Sequence, residues 1–441
     1  MQTTPAMSFT KSLSALWPHI SKRRRGQLSL LLLLMVAVAI AEVLSIGAVL
    51  PFLGALINPE KLFNLPQGKQ IINWLGFINP DQLLLPISFA FALAAVFTGL
   101  IKIVLLKAQL KISYGIGIDL SLNIYKKTLY QAYVVHTKRN SSEIISAVYE
   151  KANLVTGGLL MPLLTTISSI IILFAIVSVL LFLAPDVTLL TFCGFGVVYA
   201  FIVQMTKKKL FKDGIQISRR KSEVIQILQE SFGGIRDILV DGTQEAFCRV
   251  YQDAIIPLRN AESSVGVFRA TPRYVIESIS MVFMAGISLY FVTSLEQPLK
   301  VIPILGAVAL SAQRLLPLLH TCYSNWTYVH ATRATLFDAL TLLNQPLPNW
   351  VNSPKPSPLA FEHALVIRDL CIRYDSFSPL VLTDINLSIF RGSRVGIIGT
   401  TGSGKSTLID VIMGLLSPTQ GFLEVDGTVI TEDNNRVWQC R

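Results

Sequence analysis

Arg394 to Leu408, RVGIIGTTGSGKSTL, decides the fold of the C-terminal part of this 441-residue chain. Val395 to Ile398 is a short apolar run and predicts a buried strand. A glycine-rich turn follows, and Lys405, Ser406 and Thr407 open a helical pattern. The spacing is G-x-x-x-x-G-K-[ST] in strand–loop–helix order. Gly402 and Gly404 let the backbone turn sharply and approach a ligand. Amide N–H groups and the positive end of the new helix then hold phosphate oxygens. The candidate nucleotide-binding set is Gly399, Thr400, Thr401, Gly402, Ser403, Gly404, Lys405, Ser406 and Thr407. Lys405 is placed to reach the terminal phosphates, and Ser406 is the candidate Mg²⁺ ligand. This loop implies a nucleoside triphosphate.

Upstream, the composition is that of a membrane protein. Hydrophobic residues make up 52% and charged residues 15%, where a soluble chain has about 25% charged. Mean hydropathy is +0.55. The net charge of +11 sits beside long apolar runs, as juxtamembrane flanks do, which argues against nucleic acid as a partner. Cys193, Cys248, Cys322, Cys371 and Cys440 are scattered, without zinc or disulfide spacing. Lys22 to Arg25 before Leu28 to Ile40 resembles a signal peptide, but the apolar run continues to Leu56 and reads as a retained helix.

Six segments are long enough to span a bilayer, approximately 28–56, 83–106, 159–183, 187–205, 274–295 and 300–322. Basic residues cluster at Lys22 to Arg25, after the second segment from Lys107 to Lys151, and after the fourth from Lys207 to Lys221. The opposite connections hold only Lys61, Lys69 and Lys300. The basic side is cytoplasmic, so both termini and the phosphate loop are expected there, with ATP. Helical periodicity continues from Lys107 to Tyr133 and from Lys207 to Glu230, well past the bilayer. Turning points are expected at His136 to Ser142 and between Phe232 and Gly242. On the outer side, Ile71, Ile72, Trp74, Leu75 and Phe77 predict a short amphipathic helix at the interface.

Ionisable residues within spanning segments are functional candidates. Glu42 lies midway along the first segment, with an internal hydrogen bond or substrate contact as its two readings. Lys102, Arg273 and Arg314 lie near cytoplasmic helix ends. Facing inward, they would ring a cavity suited to an anionic headgroup; facing outward, they would snorkel.

Prolines mark a linker over residues 344–360, between a membrane domain of 1–343 and a domain of 361–441. Ala364 to Ile372 and Val381 to Phe390 alternate as strands, Ser406 to Leu415 reads as helix, and Gly421 to Val425 pairs with Thr428 to Ile430 through Asp426-Gly427. From IRYD through LTDINLSIFRGSRVGIIGTTGSGKSTLIDVIMGLLSPTQGFLEVDG, joined to the spanning segments, the chain resembles an ABC exporter half-transporter. The fold class implied is a multi-pass α-helical membrane domain of six transmembrane helices, followed by the N-terminal part of a P-loop α/β nucleotide-binding domain. The resemblance implies ATP and Mg²⁺ as cofactors, adenine stacking on Tyr374, coupling helices at the cytoplasmic tips, and a homodimer. AEVLSIGAVLPFLGAL, HTKRNSSEIISAV and ESFGGIRDILVDGTQEAF resemble exporters that flip lipid-linked oligosaccharides, implying a lipid-linked or amphipathic substrate and the bacterial inner (plasma) membrane. The LSGGQ signature, Walker B, catalytic glutamate and switch histidine of that family have no counterpart before Arg441. The expectation is therefore that this chain alone does not hydrolyse ATP, with a non-catalytic remnant or membrane subunit, and a peptide or drug exporter, as the alternative readings.

Overall fold

The computed structural model describes residues 14–57, 80–138, 148, 152–183, 185–294, 301–352, 354–375 and 378–440. The expected outer helix at Ile71 to Phe77 lies outside them, as do most of the first turning point and Glu296 to Pro298. The long helices are α1 (Lys22–Ile57), α2 (Leu84–Leu129), the short α3 (Tyr133–Lys138), α4 (Met161–Leu183), α5 (Pro185–Gly233), α6 (Ile235–Asp241), α7 (Gln244–Ser294) and α8 (Val301–Leu343). The chain divides into two compact units, Met1–Ile124 with Ile145–Leu343, and Tyr125–Ile144 with Asn344–Arg441.

The first unit is helical because hydrocarbon leaves no other partner for backbone N–H and C=O groups. Among the described residues, three stretches are long and apolar enough to cross a membrane: Lys22–Val49, Leu84–Leu129 and Val155–Phe182. The other expected spans fall on α5, α7 and α8. Each apolar helix has two faces. Leu31, Met35 and Val38 of α1 bury against Leu105 of α2, Ile172 and Ile176 of α4, and Leu315 of α8. Leu30, Leu33, Phe89 and Phe182 stay exposed on the outside, as lipid-facing side chains do. Buried polar groups are tied across helices. Thr98 of α2 donates to the Ala41 carbonyl of α1 at 3.1 Å. Asn325 of α8 donates to Thr165 and Thr166 of α4 at 2.7 and 3.1 Å. Gly214 of α5 sits so close to the Ala331 carbonyl of α8 that a Cβ there would collide with it.

Of the two expected turns between the long helices, one lies fully within the described residues. The second falls at Gly233-Gly234 and Gly242, whose φ of 65° ends α6. α2 stops at Leu129 and α3 occupies Tyr133–Lys138, while residues 139–142 of the expected first turn lie outside the described residues. Helical periodicity continues through the break, which hides it. What stops the helix is a side-chain bond, Gln131 Nε2 donating to the Lys127 carbonyl at 2.9 Å and to the Pro346 carbonyl at 2.9 Å.

The second unit is a four-stranded antiparallel sheet in the order β2-β1-β3-β4. Its strands are β1 (Ala364–Ile372), β2 (Leu382–Phe390), β3 (Gln420–Val425) and β4 (Thr428–Ile430), with helices α9 (Lys405–Ile412) and α10 (Asn435–Gln439). Leu365, Ile367, Leu370, Leu423 and Val425 pack against Leu408 and Val411 of α9. Tyr133 and Val134 of α3 pack on the same cluster. Asp426 (φ 48°) and Gly427 (φ 83°) supply the left-handed pair that a two-residue hairpin needs. The expected buried strand at Val395 to Ile398 does not form: Val395 is 49% and Ile398 95% exposed. A strand exists through its ladder, and no described strand pairs with this run.

The Asp426 carboxylate accepts backbone N–H bonds from Glu362, from His363 at 2.9 Å and from Ala364 at 2.8 Å. The Glu362 amide foremost holds its pKa below the ordinary 3.8. A depressed folded-state pKa means stabilisation that is present above pH 3.8 and lost as pH falls through the folded value. Asp426→Asn should therefore lower the melting temperature of the sheet unit at neutral pH, and the gap to wild type should close in melts run below pH 3.8. Leu370→Ala, at a fully buried site, should destabilise the unit by about 2–5 kcal/mol in denaturant titrations followed by hydrogen exchange of β1.

Candidate functional site

The phosphate loop leaves β2 at Phe390 and enters α9 at Lys405. Gly402 and Gly404 both have φ of 87°, a conformation that other residues reach only with strain. Gly404 has a second constraint: a Cβ there would meet the Leu382 side chain at 2.7 Å. Close packing on β2 thus fixes where α9 starts. Gly404 is also the N-cap residue, and no side chain caps the helix. The first amides of α9 are left for a ligand, with the helix dipole behind them.

Lys405 Nζ donates to the carbonyls of Gly399 (2.9 Å) and Thr400 (2.8 Å) of its own loop. The ammonium therefore sits over the concave side of the loop, where phosphates would lie. Ser406 is exposed, while Thr407 is buried. The Thr407 hydroxyl shares a 3.1 Å hydrogen bond with the Tyr374 hydroxyl. So Thr407 offers a ligand its amide, and its side chain fixes the upstream aromatic to the first turn of α9. Thr400, Thr401, Gly402 and Ser403 form the exposed crown of the loop. Open amides, a poised lysine and an exposed serine fit a triphosphate with its Mg²⁺.

The far end of α9 is also held. Trp438 Nε1 donates to the Ile412 carbonyl at 2.7 Å, and Gln439 Nε2 to the Gly414 carbonyl at 2.7 Å. The linker docks on the same helix pair, with Arg436 4.4 Å above the Trp350 ring and Tyr130 5.5 Å from it. Proline density in 344–360 gave no sign of these contacts; the signal was the aromatic Trp350 inside a polar stretch.

In the membrane unit, two of the three candidate cations meet. Glu42 of α1 is almost fully buried and binds Lys102 of α2 through one carboxylate oxygen. Its other oxygen accepts from Arg314 Nη1 of α8 at 3.3 Å. One carboxylate thus bridges three helices. Both cations remain partly exposed. Arg273 of α7 lies elsewhere: it pairs with Glu277 one turn on, at 2.9 Å, and the two line a cavity of about 570 Å³ with Gln313 and His320.

The comparisons with known proteins agree with this geometry. Residues 29–313, more than half of the chain, match the family described as ABC transporter transmembrane region. Residues 382–441 match the family described as ABC transporter. The chain is 37% identical over 89 residues to ABC transporter C family member 9 of Arabidopsis thaliana, covering 20% of this chain and 5% of that protein. It is 38% identical over 86 residues to the leukotoxin export ATP-binding protein of Aggregatibacter actinomycetemcomitans, covering 20% and 12%. A third similarity, 40% over 75 residues, is to an energy-coupling factor transporter ATP-binding protein of Mycoplasmopsis pulmonis, covering 17% and 28%. The chain therefore spans a minor part of each relative's length. A helical membrane unit and a phosphate loop in one polypeptide, matched in both parts, place this chain in the ABC transporter family.

Proposed function

We propose that this chain belongs to an ATP-driven exporter that works as a homodimer and moves a lipid-linked oligosaccharide, or another amphipathic molecule, outward across a bacterial inner membrane. The observation that carries the nucleotide half is the lysine held over an uncapped helix start, Lys405 on the carbonyls of Gly399 and Thr400. ATP with Mg²⁺, once bound, would supply the energy for closing the nucleotide domains. The amides at the start of α9 would hold phosphate oxygens, Lys405, now on its loop carbonyls, would hold the terminal phosphates, and the Ser406 hydroxyl would be the protein's ligand to the metal. Tyr374 carries the base, and its bond to Thr407 keeps the ring beside the loop.

The substrate half rests on charge. Lys102 and Arg314 already share one carboxylate, so an anionic headgroup entering the bundle competes with Glu42 for them. A pyrophosphate carries enough charge to win that exchange, and a neutral or cationic drug does not. The absence of an anionic headgroup on most peptides makes the peptide reading weaker here.

Two outcomes test this. Lys405→Ala should lower photoaffinity labelling by an ATP analogue about tenfold or more, the scale of a lost charge-assisted bond, and unchanged labelling sinks the nucleotide site. In vesicles carrying the chain completed with a signature motif, a Walker B segment and a switch histidine, which the sequence through Arg441 does not contain, ATP-dependent uptake of a fluorescent polyprenyl-pyrophosphate glycan should fall with Lys102→Gln or Arg314→Gln through a raised KM. Transport of peptides with no response to the glycan contradicts the substrate assignment.

A further inference from the structure

A groove between α1 and α2 belongs to neither site. It has a volume of about 630 Å³ and is lined by Arg24, Gln27, Leu31, Leu34 and Ala37 of α1, and by Ala108, Lys111 and Ile112 of α2, among others. Spacings of three and four residues put the α1 positions on one stripe. The stripe changes character along its length. Arg24 and Gln27, with Lys111 opposite, form a polar end; leucine and alanine line the remainder. From Arg24 to Ala37 the helix rises about 20 Å. The hydrocarbon layer of one leaflet is about 15 Å thick. The polar end carries the basic cluster that marks the cytoplasmic side. The groove therefore begins at the inner headgroup layer and runs through the inner leaflet.

The charges at its mouth are unequal in role. Arg24 is fixed, donating to Asp119 at 2.9 Å, to Gln27 at 3.1 Å and to the Gly115 carbonyl at 3.1 Å. Asp119 offsets it. Lys111 is exposed and has no ion-pair partner among the described residues; Lys107, one turn away on α2, is exposed too, as are Lys22 and Arg23 beside Arg24. A cationic mouth on an apolar slot open to the lipid, with Leu30 and Leu33 exposed on its wall, is complementary to a single kind of occupant.

We infer that this groove binds one anionic phospholipid of the cytoplasmic leaflet, with the phosphate at Lys111 and the polar end of α1 and an acyl chain along Leu30, Leu33, Leu34 and Ala37. The site shares no residue with the Glu42 cluster and does not depend on what the protein transports. Bound there, the lipid joins α1 to α2 at the level where Arg24 and Asp119 already join them.

The test uses the full chain in nanodiscs of equal phosphatidylglycerol and phosphatidylcholine, with retained lipid read by native mass spectrometry. Phosphatidylglycerol should be retained in preference. Lys111→Gln, at an exposed position, should cut its retention about fivefold. Ala37→Trp, which fills the slot, should abolish it, whereas Val197→Trp on another exposed helix face should not. Equal retention of the two lipids, or retention indifferent to Lys111→Gln, overturns the inference. So does a cross-link from Leu33→Cys to a second copy of the chain, made in a background with the five native cysteines replaced by serine, because the groove would then be a protein interface.

Discussion

Backbone hydrogen bonding inside hydrocarbon is the constraint on which everything else in this chain rests. A peptide group without a partner there costs several kcal/mol, so the chain crosses as helix or does not cross. Crossing needs about 20 residues. α2 has 46 and α5 has 49. The excess carries lysine and arginine out of the membrane and delivers the chain to turns at Leu129 and Gly233, far from the bilayer. Prolines at 51, 257, 272 and 317 sit inside helices that continue through them. Each proline frees the carbonyl four residues before it, and neighbouring helices, hydroxyl groups and local adjustment of the helix can supply that carbonyl with partners.

The same low-dielectric setting governs Glu42. A lone buried carboxylate is expensive, and here two cations from different helices share it. Lys102 and Arg314 both reach Glu42 while staying partly exposed, so each spans from the buried acid to the outside of the bundle. Arg273 has a carboxylate of its own on the same helix, so it joins no ring with them.

What was legible in the sequence followed from local rules. The phosphate loop, the Asp426-Gly427 hairpin, the glycine breaks near 233 and 242 and the basic flanks all depend on residues within a few positions of one another. What was not legible depended on partners distant in the chain. Val395 to Ile398 reads as a strand by composition, but a strand is made by a neighbour and the described sheet offers none. The end of α2 is set by Gln131 reaching Pro346, more than two hundred positions away. Tyr374 was singled out as an aromatic facing a base; that its hydroxyl is tied to Thr407 required the fold.

That distance dependence also explains why Tyr125–Ile144 groups with Asn344–Arg441 and not with the membrane helices that flank it. Tyr133 and Val134 enter the apolar cluster beneath the sheet, Gln131 holds the linker at Pro346, and Tyr130 meets Trp350. Trp350 in turn lies under Arg436, and the next residues of that short helix grip the end of α9 through Trp438 and Gln439. α9 begins at the phosphate loop. Every step between the loop and Tyr130 is therefore a direct contact within one compact unit.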